Sequence, residues 1–588
     1  MIQSAIFIYL LLVAQSPANA APACYCQPGQ ACWPTEASWR ALNSTIGGNL
    51  VDVKPLAYVC HDPDYDEAQC ALIRSETHSS SFRSSQPGAL QYQNWEAWPA
   101  KQEQCYVEAP RSVPCSQGRI SLYSAVVRTA QHVQASVKFA AKYNIKLAIR
   151  NSGHDFLGRS AAPSSLQIFT HHMKDMAVNN DFTAAGFTGR STGPKTTSVT
   201  VGAGVQLHDL YAYLGNHGLM VVGGSSNTVG LAGGYIQGGG HSILGWLHGM
   251  ASDNALEFQV VLANGQLVYA NAYQNSDLFY ALRGGGGGTF GVVVSVTIKA
   301  YPDYPVIFTQ LNYTFPAPNT AFWNGVEAFH NHLVALNDNG ATGYYYITPH
   351  NPISSDTTVS TFVLYMWLVN QTDTSIIQPL FAPLISDIHN ATEVVPAFEV
   401  IPFPSMSIMY ASIFTGDDTT GLLAQLGSRL VSRAFFLQPG AASRITSTIS
   451  SLTVGPGDYI EGNVVSGGQV AKNRNLSSGL NPAWRDTIVH LLFTRQWFPD
   501  TPFEEQAIIQ ANITNYQVPS LKALEPGKMG AYVNEADANE IDFQKSFWGP
   551  TYPFLYAIKK ARDPQGLFIV RNGVGSEDWD DDGFCRLF

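Results

Sequence analysis

Residues 223–241 hold the densest run of glycine in the chain, Gly223-Gly224-Ser225-Ser226-Asn227-Thr228-Val229-Gly230-Leu231-Ala232-Gly233-Gly234, continued by Gly238-Gly239-Gly240-His241. A backbone with so few side chains loses much conformational entropy when it is ordered, so the run needs a compensating reason. A flexible surface loop would leave the interleaved Val229, Leu231, Tyr235 and Ile236 in water. Close approach of the backbone to a large cofactor suits both the glycines and the apolar residues between them.

The flanking segments favour a mixed α/β environment. Val126, Ala130, Val133, Val137 and Ala140 recur at helical spacing, Asn144 ends that helix, and Ile145-Lys146-Leu147-Ala148-Ile149 reads as a buried strand. It runs into Arg150-Asn151-Ser152-Gly153-His154-Asp155, a tight polar loop whose Gly153 and small side chains let backbone N–H groups approach an anion. Residues 198–201 alternate as a strand and lead to a helix around Leu207, Leu210, Tyr211 and Leu214. Downstream, 256–262 and 266–270 flank Asn264-Gly265, which predicts a β-hairpin. Gly286, Gly288 and Gly291 match the dinucleotide fingerprint G-x-G-x-x-G, but they follow a helix-like segment and precede the β-branched run 292–298. The fingerprint requires strand first and helix after, so a nicotinamide cofactor is not expected there.

A length of 588 residues accommodates two or three domains, and 45% hydrophobic with 13% charged residues describes a well-packed globular chain. The net charge of −11 lacks the basic footprint of a nucleic-acid binder. At the N-terminus an apolar run at 5–14 followed by Ala18-Asn19-Ala20 reads as a cleaved signal peptide, 1–20, too short to span a bilayer. Expected locations are therefore outside the cell or a secretory-pathway lumen such as the vacuole, with no membrane attachment after cleavage. Sequons at Asn43, Asn312, Asn370, Asn390, Asn475 and Asn512 suit N-linked glycans. The eight cysteines, seven of them before residue 116, read as disulfides whose pairing the spacing does not fix. Cys24-x-Cys26 lacks the second ligand pair of a zinc site, and no metal is expected.

From about Cys115 to Pro302 these pieces, in this order, resemble the FAD-binding domain of the vanillyl-alcohol oxidase and p-cresol methylhydroxylase superfamily. The C-terminus adds a signature similar to berberine-bridge enzymes: Tyr532-Val533-Asn534 with Asp537, then Trp548-Gly549-Pro550-Thr551-Tyr552 and Ala561-Arg562-Asp563-Pro564-Gln565-Gly566-Leu567-Phe568. Within that group the wording is similar to fungal secreted FAD-linked oxidoreductases, including isoamyl alcohol oxidase-like proteins and secondary-metabolite oxidases. The resemblance implies an α+β fold. Its expected parts are a cysteine-rich extension over 21–115, an FAD-binding domain of the p-cresol methylhydroxylase type over 116–304, a substrate domain over 305–529, and a segment over 530–588 that returns to the FAD domain. In the substrate domain an antiparallel sheet covered by helices is expected.

The resemblance further implies that His154, in the loop Arg150, Asn151, Ser152, Gly153 and Asp155, attaches covalently to the flavin. Many relatives carry a second linkage from a cysteine, and Ser226 occupies that place here. Serine cannot form the thioether, so a single linkage is expected. Thr228, Val229, Gly230, Gly233 and Gly234 would line the flavin, with Asn534 touching it from the returning segment. Val229 falls where relatives border the flavin face, and its modest, rotamer-restricted side chain predicts access for oxygen. For proton handling, Tyr532 and His241 are the catalytic candidates, each also able to play a purely structural part.

In the middle of the chain, strands near 342–347, 359–369 and 488–497 place Tyr344, Tyr346, Tyr365, Trp367 and His490 as candidate pocket residues, although ordinary core aromatics give the same pattern. The expected function is a secreted FAD-dependent oxidase that passes hydride from an alcohol or related C–H substrate to the flavin, with O2 as acceptor and H2O2 as product. Two other readings stay open: a tailoring oxidase or oxidative cyclase in secondary metabolism, and a binding protein that keeps the fold without redox activity.

Overall fold

The computed structural model describes residues 24–189, 196–452 and 454–587; the expected signal peptide, 1–20, lies outside them. Two sheets build the first half of the molecule. In one, Tyr123–Val126, Leu166–Phe169 and Leu147–Arg150 pair in parallel. Parallel pairing needs a crossover, supplied in part by the helix Ala130–Tyr143, whose Val133, Val137 and Ala140 are buried. The Thr129 hydroxyl accepts from His132 N–H at its start, and Asn144 closes it at φ 51°. That cap corrects the expected start: Val126 belongs to the preceding strand.

The second sheet runs in the order Met176–Asn179, Ser198–Gly202, Val292–Lys299, Ala255–Val261, Leu267–Asn271, antiparallel throughout. Its last two strands are the expected hairpin, turning at Gly265 with φ 76°.

A seven-stranded antiparallel sheet forms the other half, in the order Ala397–Phe403, Val306–Pro316, Thr357–Val369, Ala341–Ser354, Ile460–Val464, Thr487–Trp497, Leu423–Ser432. Side chains alternate between its faces. Ile307, Tyr345, Met366, Ile460 and Leu491 share an apolar core with Phe322 and Phe329 of the helix Thr320–Asp338 and Leu384 of Ile377–Thr392. The opposite face carries Tyr344, Tyr365, Asn463 and His490, which the register sets side by side. The chain is thus α+β, with a helix-covered antiparallel sheet as expected.

The cysteine-rich extension is woven into both halves. Leu50–Asp52 adds an antiparallel edge to the first sheet. Inside it, Cys26–Cys32, Cys60–Cys70 and Cys105–Cys115 are paired, while Cys24 reaches Cys585. The Arg83 guanidinium is fully buried against the Glu96 carboxylate, which also accepts Leu90 N–H at 2.7 Å. Removing either partner would strand a buried charge, at a cost of about 3–5 kcal/mol.

The C-terminal segment packs back onto the first half. Trp548 Nε1 donates to Gly284 O at 3.0 Å, Lys559 Nζ to Thr289 O at 2.8 Å, and Arg562 pairs with Asp277. Among the described residues, no helix is long and apolar enough to cross a membrane. Four disulfides fit a secretory protein.

Candidate functional site

The polar loop, the glycine run and Gly287, Gly288 and Gly291 together line a cleft partly open to solvent. The loop leaves the strand Leu147–Arg150 and bends at Gly153, whose φ of 83° suits glycine. On the facing wall a Cβ at Gly234 would meet nothing nearer than Asn534 Oδ1 at 3.8 Å, so this glycine looks into open space. Added to Gly287, a Cβ would lie 2.9 Å from Gly234 Cα, so the two backbones need each other's lack of side chain. Asn151 Oδ1 and Gln237 Oε1, both on lining residues, are buried without a hydrogen-bond partner. A cleft lined by bare backbone and orphaned polar atoms fits a dinucleotide such as FAD. Of the nicotinamide-fingerprint glycines, Gly288 and Gly291 line this cleft, and all three lie between the helix Ser276–Leu282 and the strand Val292–Lys299, in the order opposite to that fingerprint.

His154 lines the same cleft, and its Nε2 lies 2.6 Å from Thr228 Oγ1. Burial lowers its pKa to about 4, Asp418 and Asp417 pulling it up and Arg150 pushing it down. The imidazole is therefore neutral over the physiological range, as a nucleophilic or alkylated ring requires.

At the other end of the glycine run, Tyr532, Asn534 and Glu535 converge on it from one tight turn. Glu535 N–H donates to Tyr532 O at 3.0 Å, so 532–535 is a tight turn. The turn is what lets Asn534 Nδ2 reach the Tyr532 hydroxyl at 2.8 Å and Gly234 O at 2.9 Å. Gly240 N–H also donates to that hydroxyl, at 3.2 Å. With both acceptor positions used, the phenol is left to act as a donor. Burial pushes its pKa up, and the Glu535 charge adds to the effect.

His241 stands beside this turn, its Nε2 3.1 Å from Glu535 Oε1, and His490 Nδ1 lies 3.4 Å from Glu535 Oε2. Burial alone would raise the Glu535 carboxyl, yet His241 and then His490 outweigh it and hold the group below its usual range. Burial lowers His490 to about 4. The donor atoms of His241, His490 and Glu535 lie within 4.8 Å of one another, a spacing that suits a divalent ion. However, His241 Nδ1 and His490 Nε2 are buried without partners, whereas metal-binding histidines donate their outer nitrogen to an acceptor.

Across from these groups lies the polar face of the seven-stranded sheet. The five residues singled out from the sequence, Tyr344, Tyr346, Tyr365, Trp367 and His490, all belong to it. Glu461 sits opposite Tyr346 on the adjacent strand, and its carboxyl has no hydrogen-bond partner among the described residues. Burial, then the charge of Glu535, pushes its carboxyl up to about 8. Neither Glu461 nor Glu535 was singled out by sequence reasoning. Glu535, two residues after Val533 in the C-terminal signature, was within reach of that reading; Glu461, in an unremarkable strand, carried no signal.

Other expected contacts fall differently. Arg150 turns away from the cleft, donating to Arg83 O at 2.7 Å and to Gln86 O in the extension. Its long buried side chain anchors the loop from behind. Ser152 and Asp155 line the cleft, but the Asp155 carboxylate is engaged by Ser160 N–H at 2.7 Å and Arg159 Nε at 2.9 Å, closing the loop. Val229, Gly230 and Gly233 line the cleft; Ser226 and Thr228 stand behind it, both facing Asp418. Every cysteine is in a disulfide, so no thiol is free for a thioether.

The family model for the FAD binding domain matches residues 122–271, and the one for berberine and berberine like proteins matches 531–575. An uncharacterized FAD-linked oxidoreductase of Arthroderma benhamiae is 47% identical over 569 residues, covering 96% of each chain. The FAD-linked oxidoreductase malF of Malbranchea aurantiaca is 38% identical over 563 residues, 96% of this chain and 94% of that one. Among solved structures, the VAO-type flavoprotein MtVAO713 of Myceliophthora thermophila superposes with a TM-score of 0.87 at 28% identity, over 96% of this chain and 100% of its own. Berberine bridge enzyme from Eschscholzia californica shares the fold, with a TM-score of 0.66 at 15% identity over 91% of this chain and 98% of its own.

Proposed function

Because the chain belongs to the family of FAD-linked oxidoreductases with a berberine-like C-terminal segment, we propose that it oxidises an alcohol or related C–H substrate and passes the electrons to O2. FAD, when bound, supplies the two-electron acceptor for a substrate hydride and hands the pair on to O2, giving H2O2. The observation that carries the reading is the meeting, beside the glycine run, of two carboxyl groups of opposed tendency, Glu535 on the C-terminal turn and Glu461 on the sheet face. Glu535 is held ionised, whereas Glu461 is pushed up to about 8. Environments that drive two acids apart mark sites of proton handling.

In this reading His154 holds the cofactor covalently, and Asn151, Gly153, Gly230, Gly233 and Gly234 cradle it with backbone. Glu461 accepts the substrate hydroxyl proton. The protonated Tyr532 donates a hydrogen bond to substrate oxygen and orients it, with Asn534 and Gly240 fixing the ring. Glu535 and His241 stabilise charge nearby. Tyr344, Tyr346, Tyr365 and Trp367 exclude water and stack on an apolar substrate body. That aromatic face also favours the second reading, a tailoring oxidase acting on a polycyclic specialised intermediate. Secretion through cleavage of 1–20 and N-glycosylation, with Asn370, Asn390 and Asn475 exposed, belong to the same proposal.

A peroxide-coupled screen of aliphatic alcohols, sugars and polycyclic alcohols tests the assignment. Substrate-dependent peroxide supports it, and a reduced flavin that persists for minutes in air assigns another acceptor. Tyr532→Phe is expected to slow anaerobic flavin reduction at least about tenfold with flavin content unchanged. Unaltered reduction removes Tyr532 from the mechanism, and a larger loss in His241→Ala moves the role to that residue. Val229 lines the cleft and is stiff at χ1. Val229→Leu is therefore expected to slow reoxidation by air markedly while leaving substrate reduction little changed; stopped-flow traces with equal reoxidation in both proteins would refute the oxygen-access role.

A further inference from the structure

On the side of His154 away from the cleft stands an acid that the oxidation chemistry does not use. Asp418 Oδ2 accepts the Ser226 hydroxyl at 2.7 Å and lies 3.4 Å from Thr228 Oγ1, which in turn sits 2.6 Å from His154 Nε2. The order is carboxylate, hydroxyl, imidazole. A threonine hydroxyl has one proton to give. Directed to Asp418, it leaves the oxygen to accept from His154 Nε2–H, which fixes the tautomer with the proton on Nε2. His154 Nδ1 has no hydrogen-bond partner among the described residues and keeps its lone pair.

Asp418 belongs to the substrate half, on the loop before the strand Leu423–Ser432, and the cysteine-rich extension grips that loop from the far side. The neighbouring Asp417 carboxylate accepts Ser80 Oγ at 3.0 Å, Ser81 Oγ at 2.6 Å and Ser81 N–H at 3.2 Å, and is also bonded by Ser79 Oγ. Farther along, Thr420 N–H donates to His78 O at 3.1 Å and Gly421 N–H to Gln91 O at 2.8 Å. Gln91 closes the circuit, because its Nε2 donates to Ser152 O at 3.0 Å, two residues before His154. The extension thus spans from the acidic loop to the histidine loop and sets the distance between them.

We propose that Asp418, acting through Thr228, is the proton acceptor that drives covalent attachment of FAD to His154, and that the cysteine-rich extension is the clamp that holds this relay in register. The inference rests on the His154 linkage proposed above. In the attachment, a bond forms between the imidazole nitrogen and the flavin methyl carbon, one methyl C–H bond breaks, and the Nε2 proton leaves through Thr228 toward Asp418. Two electrons and two protons pass to dioxygen, which leaves as hydrogen peroxide. Asp418, Asp417 and Arg150 are the charged groups acting on His154; the two acids stabilise the positive charge that develops on the ring as it attacks, while Arg150 opposes it.

Asp418 and Thr228 are positioning residues, so attachment must be read apart from turnover. Wild type, Asp418→Asn, Thr228→Val, Thr228→Ser and the triple change Ser79→Ala, Ser80→Ala, Ser81→Ala would be purified and incubated in air with excess FAD. Acid-precipitated flavin and intact mass give the covalent fraction with time, and flavin absorbance of the desalted protein gives total binding. Asp418→Asn and Thr228→Val are expected to bind FAD but attach it at least tenfold more slowly. Thr228→Ser should attach at near the wild-type rate, and the triple change should be slowed without loss of binding. Attachment at the wild-type rate in Asp418→Asn overturns the relay alone, as does equal slowing in Thr228→Val and Thr228→Ser. Normal attachment in the triple variant overturns the clamp. Wild-type protein with no covalent flavin overturns the linkage and the relay together.

Discussion

Replacing His154 with alanine is expected to release all of the flavin when the protein is denatured, where the wild type releases none. The basis is the position of the imidazole at the cleft and its low pKa of about 4, which keeps it neutral. No second attachment can take over, because all eight cysteines are in disulfides. Acid precipitation followed by peptide mapping decides the matter: flavin on the His154 peptide alone supports the assignment. A thioether flavin anywhere, or covalent flavin surviving in His154→Ala, would overturn it.

The second large effect is expected at Glu461. As the base that takes the substrate proton, it works only when ionised, so the rate of anaerobic flavin reduction should rise with pH and level off above about 8. The sign follows from burial, which disfavours the charged form and lifts the pKa, so acidifying from 8 removes the working species. Glu535, Tyr92, Tyr344, Tyr346 and Tyr459 are the titratable neighbours, and of these the ionised Glu535 raises Glu461 further. Glu461→Gln should reduce the rate by about 10²–10⁴-fold and flatten the profile near 8. A retained rise through pH 8 in that variant would place the base elsewhere.

Much of this architecture was legible in the chain because it rests on local rules. The hairpin at Asn264-Gly265 and the end of the helix at Asn144 are turn and cap chemistry, fixed by φ preferences of single residues. The aromatic face was legible because alternation in a strand fixes which side chains share a side, and Tyr344, Tyr365, Trp367 and His490 obey it. What escaped depends on contacts distant in sequence. Arg150 looks like a loop residue at an anion site, yet Arg83 and Gln86, more than sixty residues earlier, capture its guanidinium. The upward shift of the Tyr532 phenol also escaped, because the degree of burial that drives it belongs to the folded whole. Glu461 and Asp418 sit in segments without motif, and only the meeting of two halves gives them a task.

The Cys24–Cys585 bridge joins residues 561 positions apart, near the two ends of the described chain. It makes the covalent outline of the protein a ring. A single proteolytic cut anywhere between the two cysteines then opens a loop without dividing the molecule, and fragments part only under reducing conditions. Synthesis imposes an order on the closure as well. The pairs Cys26–Cys32, Cys60–Cys70 and Cys105–Cys115 span 6, 10 and 10 positions and become available while the chain is still growing. Cys24 has to wait beside Cys26 until Cys585 has been made, so the ring closes only after the three local pairs are available and the distant segments have met.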